Sequence, residues 1–117
     1  MTPEDLLPLS PQVFHILVAL ADGDRHGYSI MQDVTARTGG KLRLSPGTLY
    51  GSVQRLLDQG LITELREKER PEASKDDQRR RYYRLTDFGR RVARAEAERL
   101  AQLLDHARAF GLAPRRG

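Results

Sequence analysis

The stretch LSPGTLYGSVQRLLDQGLITEL, residues 44–65, changes its hydrophobic period partway along. Leu44-Ser45-Pro46 has the form of a helix start. Ser45 can accept a free backbone N–H, Pro46 suits the first helical position, and Leu44 and Leu49 stand at staple spacing. Leu49, Val53, Leu56 and Leu57 then make one inward stripe, and Gly60 is the natural C-cap. Beyond Gly60, Leu61, Thr63 and Leu65 alternate with Ile62, Glu64 and Arg66, the period of a strand. The segment predicts a helix over Pro46–Gln59 that runs directly into a strand.

Upstream, the same start signal occurs as Leu9-Ser10-Pro11, with Phe14 as staple partner. Val13, Ile16, Leu17 and Leu20 follow at helical spacing, widened by Phe14, Val18 and Ala21, until Asp22-Gly23-Asp24 ends the helix. A shorter helix is expected over about Gly27 to Thr38, with Ile30 and Val34 inward and Gly39-Gly40 as its stop. Downstream, residues 67–80 are charged and lack any apolar side chain larger than alanine. Arg81-Tyr82-Tyr83-Arg84-Leu85 then reads as a second strand, its two tyrosines facing opposite sides. Thr86 can cap a long last helix, about Asp87 to Phe110, stopped by Gly111 and Pro114. Its Leu100, Leu103, Ala107 and Phe110, bordered by Leu104, form a seam that needs an apolar neighbour, being too short for a self-sufficient coiled coil.

The expected fold is mainly α with a small β-hairpin. It is a winged helix-turn-helix over residues 9–86 followed by a long C-terminal dimerisation helix over 87–111, with irregular termini at 1–8 and 112–117. A length of 117 residues suits one such head and one dimer helix, and leaves little room for a catalytic or sensing domain. With no cysteine, disulfides, thiolate metal sites and thiol nucleophiles are excluded. His15, His26 and His106 are far apart and no motif joins them to a nucleophile or a metal. His15 reads as a core residue, and His26 as a helix cap or a phosphate contact. Neither catalysis nor a cofactor or metal is expected. The longest apolar run, Val13 to Ala21, is too short for a membrane span and lacks a basic lead-in, so a cytoplasmic protein is expected.

The net charge of +4 is unevenly placed. Residues 1–40 carry two Arg against five acids, whereas residues 41–94 carry fourteen Lys/Arg against eight acids, an excess of +6. A basic excess over the second helix of the pair and the hairpin is the footprint of a polyanion-binding element. With the leucine stripe inward, Gly47, Thr48, Gly51, Arg55 and Asp58 turn outward, flanked by Gln54 and Ser52, with Tyr50 at the edge. Arg55 can read guanine or clamp a phosphate, Gln54 can pair with adenine, and Thr48 and Ser52 can donate to phosphates. Gly51 inside a helix is explained if its backbone must approach DNA closely. On the hairpin, Lys75, Arg79, Arg80 and Arg81 can reach phosphates or a minor groove.

Leu9-Ser10-Pro11, His26-Gly27-Tyr28-x-Ile30, Leu44-Ser45-Pro46-Gly47-Thr48-Leu49-Tyr50, Arg55-Leu56-x-x-x-Gly60-Leu61-Ile62 and Arg81-Tyr82-Tyr83-x-Leu85-Thr86-x-x-Gly89 together resemble the PadR family of transcriptional regulators. The resemblance covers roughly residues 9–110. It implies a winged-helix homodimer, generally a repressor, that binds a pseudo-palindromic double-stranded operator. The recognition helix would present Ser45, Thr48, Tyr50, Gly51, Ser52, Gln54 and Arg55 to DNA, with Tyr28 and Tyr83 packing or touching phosphate nearby. Where many relatives carry proline after the Leu-Tyr pair, this chain has Gly51. The dimer would form where the last helix packs on the first helix of its partner, through Phe14, Leu17, Leu100, Leu103, Leu104, Ala107 and Phe110. Some small relatives hold flat aromatic compounds between tryptophans, and this chain has no Trp. An effector, if there is one, would be a small hydrophobic or aromatic molecule and would have to use the dimer interface. The alternative is a winged-helix module that binds protein without specific DNA recognition.

Overall fold

Each of the four α-helices among the described residues is opened by a side chain that accepts a backbone N–H left free by the first turn. The computed structural model describes residues 1–70 and 80–114. Within them Ser10 accepts from Val13 N–H at the start of α1 (Pro11–Asp22), and His26 Nδ1 accepts from Ser29 N–H at the start of α2 (Gly27–Arg37). Ser45 accepts from Thr48 N–H ahead of α3 (Pro46–Asp58), and Thr86 from Gly89 N–H ahead of α4 (Asp87–Ala109). Each such cap contributes about 1 kcal/mol. The boundaries agree with the sequence expectation within a residue.

The sheet has three antiparallel strands where the sequence suggested two. β2 (Ile62–Glu64) and β3 (Tyr82–Leu85) form the hairpin, and β1 (Arg25–His26) adds to the other side of β3. Arg25 lies opposite Tyr83, His26 opposite Tyr82, and Ile62 opposite Leu85. β1 escapes sequence reading because two residues show no period; its pairing is dictated by β3, distant in the chain. Arg84 reinforces the edge by donating to both carboxylate oxygens of Asp24, at 3.1 and 2.9 Å. The expected alternation after Gly60 also needs correcting. Leu61, Ile62 and Leu65 are all buried, since Leu61 still belongs to the helix end and only Ile62–Glu64 are strand.

Residues 1–8 are not wholly irregular: Pro3–Leu6 form one 3-10 turn, which packs on α4. The core gathers Ile16, Leu17 and Leu20 of α1, Ile30 and Val34 of α2, Leu49, Val53 and Leu56 of α3, and Val92 of α4. Tyr83 joins this core, while Tyr82 is buried elsewhere, its ring edge-on to His26 at 5.2 Å. The first half of α4 packs against the domain, whereas from Leu100 onward its leucines are largely exposed.

Two contacts fix where α3, the hairpin and α4 meet. At the end of α3 Gly60 takes a left-handed φ of 75°, and Gly60 and Leu61 N–H donate to the carbonyls of Leu57 and Leu56 at 3.1 and 3.0 Å. This is a Schellman stop, sealed by the apolar pair Leu61 and Leu56. The Leu61 carbonyl then accepts from Thr86 N–H at 3.1 Å, and Thr86 Oγ1 donates to the Gly60 carbonyl at 2.7 Å. Gly89 rests on the same carbonyl, where a Cβ would stand 1.9 Å from Leu61 O. Gly89→Ala is therefore expected to cost at least about 3 kcal/mol, because backbone must move. Urea unfolding within 1 kcal/mol of wild type, by order of magnitude, would show that the junction yields easily.

Glu96 is a buried carboxylate at 1% exposure, accepting from Leu9 N–H and from Arg99 Nε. Burial pushes its pKa up most strongly, but the Arg99 and Leu9 hydrogen bonds and the Arg99 charge outweigh it and hold the carboxyl below its usual range. A group lowered in the folded state stabilises it above the unfolded value and loses that contribution as pH falls through the folded one. Glu96→Gln should cost about 1.5–3 kcal/mol at neutral pH. The gap from wild type should shrink as pH falls through and below the carboxylate range. A gap that stays constant across that range is the contrary result.

Candidate nucleic-acid interface

α3 is amphipathic, and its orientation follows from Leu49, Val53 and Leu56 being sunk in the core. Thr48, Tyr50, Gly51, Gln54, Arg55 and Asp58 face solvent, and so does the cap residue Ser45. Ser52, expected on the outward flank, is instead only 3% exposed. The helix is rotated toward Ser52 and away from Leu57, which is only partly buried, so the hydroxyl replaces a leucine on the inner face.

The outward face is chemically uneven. Ser45 Oγ donates to Thr48 Oγ1 at 3.0 Å, which leaves the Thr48 hydroxyl proton pointing away from the cap. Gln54 Nε2 donates to Asp58 Oδ1 at 3.0 Å, so pairing with a base edge requires Asp58 to release it. Arg55 makes no ion pair or hydrogen bond with any described residue. Gly47 and Gly51, one turn apart, leave bare backbone between these groups, since a Cβ at either would meet nothing within 4 Å. Tyr50 sits at the edge, half exposed, its ring laid against Gly27 so that a Cβ there would stand 2.5 Å from the phenol oxygen. That packing accounts for glycine at the first residue of α2.

The base of the hairpin reaches the same side. Tyr28 is 53% exposed and stacks on His26 at 6.5 Å, and the Arg80 guanidinium lies 5.9 Å from the Tyr28 ring centre and 2.7 Å from His26 Nε2. His26 is thus a cap and a platform for Arg80. Arg81 is exposed, 4.0 Å from Glu64. Tyr83 is 2% exposed, so of its two expected roles it packs; burial, with Glu64 and Tyr50 nearby, pushes its phenol up. Lys75 and Arg79, assigned to the wing from sequence, lie outside the described residues. Two cations went unnoticed in the sequence. Lys41 and Arg43 are exposed in the turn between α2 and α3, and neither forms an ion pair among the described residues. Their signal was their place in that turn.

The proposed seam residues divide. Leu103 and Phe110 are 55% and 81% exposed, Leu100 and Leu104 about half as open as Phe110, and Ala107 is partly covered. Phe14 is partly exposed beside them, but Leu17 is wholly buried in the protomer and cannot meet a partner. α1 is covered on more than one side, and Leu17 lies on the inner one. A cleft of about 270 Å³ separates α1 from α4, lined by Phe14, His15, Glu96 and Leu100. His15 is therefore a partly exposed wall residue rather than a core one. Among the described residues no group of three metal-ligating side chains is gathered, and no helix is long and apolar enough to cross a membrane.

A helical pair whose second member is bare on one side, with a hairpin beside it, defines a winged helix-turn-helix protein. The chain belongs to the transcriptional regulator PadR-like family, whose model matches residues 16–95. It is 39% identical over 88 residues to a 37.1 kDa protein of transposon Tn4556 from Streptomyces fradiae, covering 75% of this chain. It is 35% identical over 75 residues to protein X of Lysinibacillus sphaericus, covering 64% of this chain. The match spans 22% and 64% of those two relatives' own lengths. Among solved structures, a PadR family transcription regulator from Clostridium difficile superposes with TM-score 0.69 at 23% identity, covering 86% of this chain and 98% of that one. A transcriptional regulator from Clostridium thermocellum gives 0.66 at 26% identity, covering 84% and 90%. ZitR of Lactococcus lactis, solved in complex with DNA, gives 0.62 at 22% identity, covering 95% and 65%.

Because nothing contacts a Cβ at position 51, Gly51→Ala should stabilise the protein by about 0.5–1 kcal/mol. Chemical denaturation checks this, and a loss of stability would mean that the open space at Gly51 is not there in solution.

Proposed function

We propose that this chain is a homodimeric, sequence-specific double-stranded DNA-binding regulator of transcription, acting as a repressor in the cytoplasm, and not an enzyme. The observation that carries the reading is the outward face of α3, where bare backbone at Gly47 and Gly51 adjoins the unneutralised Arg55. In this reading α3 enters the major groove, Arg55 and Gln54 reach base edges, and Ser45 and Thr48 hold phosphates. Lys41 and Arg43 in the preceding turn, with Arg80 and Arg81 at the wing, supply salt-dependent phosphate contacts. The exposed leucines and Phe110 of α4 are covered by a second copy, which also pairs two recognition helices for a pseudo-palindromic operator. A small-molecule effector would release the DNA.

Selection from random duplexes tests this directly. An enriched inverted repeat, with half-sites a helical turn or a multiple apart, is the expected result; protection without sequence preference would favour a protein-binding module. On the selected duplex, Arg55→Ala should lose roughly 1–3 kcal/mol of specific binding if it reads a base. An unchanged ratio of specific to non-specific affinity contradicts base reading. Gly51→Ala should bind the duplex more weakly despite its greater stability, because the added methyl holds the helix off the groove. Leu103→Arg should leave a folded monomer in sedimentation, and a persisting dimer would place the interface elsewhere.

A further inference from the structure

A second groove, about 420 Å³, lies between the N-terminal segment and the far end of α3. That volume is within the range that holds small organic ligands. One wall is aliphatic, formed by Leu6, Leu9 and Val13, and the opposite wall is polar, formed by Ser52, Arg55 and Gln59. No carboxylate and no aromatic ring is among the described residues that line it. α1 begins at its rim with Ser10 and Pro11, so the positive end of that helix adds to the Arg55 charge.

Ser52 supplies the hydroxyl of the polar wall. It is 3% exposed, lines this groove, and makes no hydrogen bond with any described residue. Its Oγ is not sealed from solvent, so the hydroxyl is free to take a partner from the groove side. Arg55 lines the same groove without an anionic partner. A donor sunk in the wall, a guanidinium beside it and an aliphatic floor opposite match a molecule with one acidic head and a short, unringed tail.

We propose that this groove binds a small aliphatic carboxylate, with its head held by Arg55 and Ser52 and its chain laid on Leu6, Leu9 and Val13. Because Arg55 also belongs to the outward face of α3, occupation withdraws it from DNA, so that ligand and duplex compete. The competition rests on the DNA-binding reading above; the groove itself does not. It also places effector binding inside each protomer rather than at the dimer seam. By linkage, whatever the ligand takes from DNA affinity, DNA takes from ligand affinity.

The test begins with DNA-free wild-type protein titrated calorimetrically with hexanoate, with hexanamide and inorganic phosphate as comparators. Hexanoate should bind saturably, one per protomer, and each comparator about tenfold more weakly, since one lacks the charge and the other the tail. Ser52→Ala should weaken hexanoate several-fold while leaving the protein folded, and Arg55→Ala should abolish binding. Absence of saturable binding overturns the proposal. So does hexanamide or phosphate binding as well as hexanoate, or affinity that survives both substitutions. Saturating hexanoate should then weaken binding of the selected duplex by about fivefold or more. Hexanoate that binds as described but leaves duplex affinity unchanged overturns the competition alone. Failure of the protein to bind any duplex specifically overturns the DNA reading, and the DNA-free titration still decides the groove.

Discussion

The backbone of α4 lies directly on the backbone of the α3–β2 junction, and that contact sets the geometry of everything outward of it. Gly89 admits the Leu61 carbonyl where any side chain would collide, and Thr86 ties both Gly60 and Leu61 to the helix start. The left-handed turn at Gly60 aims the chain from α3 into β2 at that same point. One junction therefore fixes three angles: α3 to the core, the wing to α3, and α4 to both. A contact between main chains transmits position better than one between side chains, which can change rotamer. It gives a long helix rigid control over a short one. If two copies join through α4, the spacing of their α3 faces is set through this junction.

The outer face of α3 shows the opposite design. Its inner side is filled by Leu49, Val53 and Leu56 with Ser52 beside them, but outward it presents Gly47 and Gly51, the hydroxyls of Ser45, Thr48 and Tyr50, the Gln54 amide, the Arg55 guanidinium and the Asp58 carboxylate. Glycine in a helix interior sacrifices stability, and at Gly51 no packing reason for it exists, because the space over it is empty. At Gly27 and Gly89, by contrast, the neighbouring Tyr50 ring and Leu61 carbonyl leave no room for a side chain. Stability given up without structural return is what a surface that must be approached closely would show.

Most of the helical framework was legible because its signals are local. Ser10, Ser45 and Thr86 cap their own first turns, and Gly60 ends its own helix, so neighbouring residues carry the instruction. What escaped depends on partners far along the chain. β1 exists only because β3 pairs with it, and the burial of Tyr82 follows from His26 lying across it. The site was legible in outline, since a leucine stripe implies an outward face opposite. Its exact rotation was not, because Leu57 and Ser52 compete for the flank and tertiary packing chose Ser52. Leu17 was misplaced for a related reason: apolar periodicity marks burial without saying whether the cover is this chain or another. The engagement of Gln54 by Asp58 did have a signal, since the two stand four residues apart on one helix.

The absence of cysteine from the chain makes one measurement especially direct. Asp58→Cys places a single thiol on the outward side of α3, to which an iron chelate can be attached for localised cleavage of a bound duplex. If α3 occupies the major groove, cleavage on the selected operator will fall in two clusters, one per half-site, with the strand offset that marks the major groove. Cleavage spread evenly along the duplex, or offset toward the minor groove, would contradict the assignment of α3 as the helix that reads DNA.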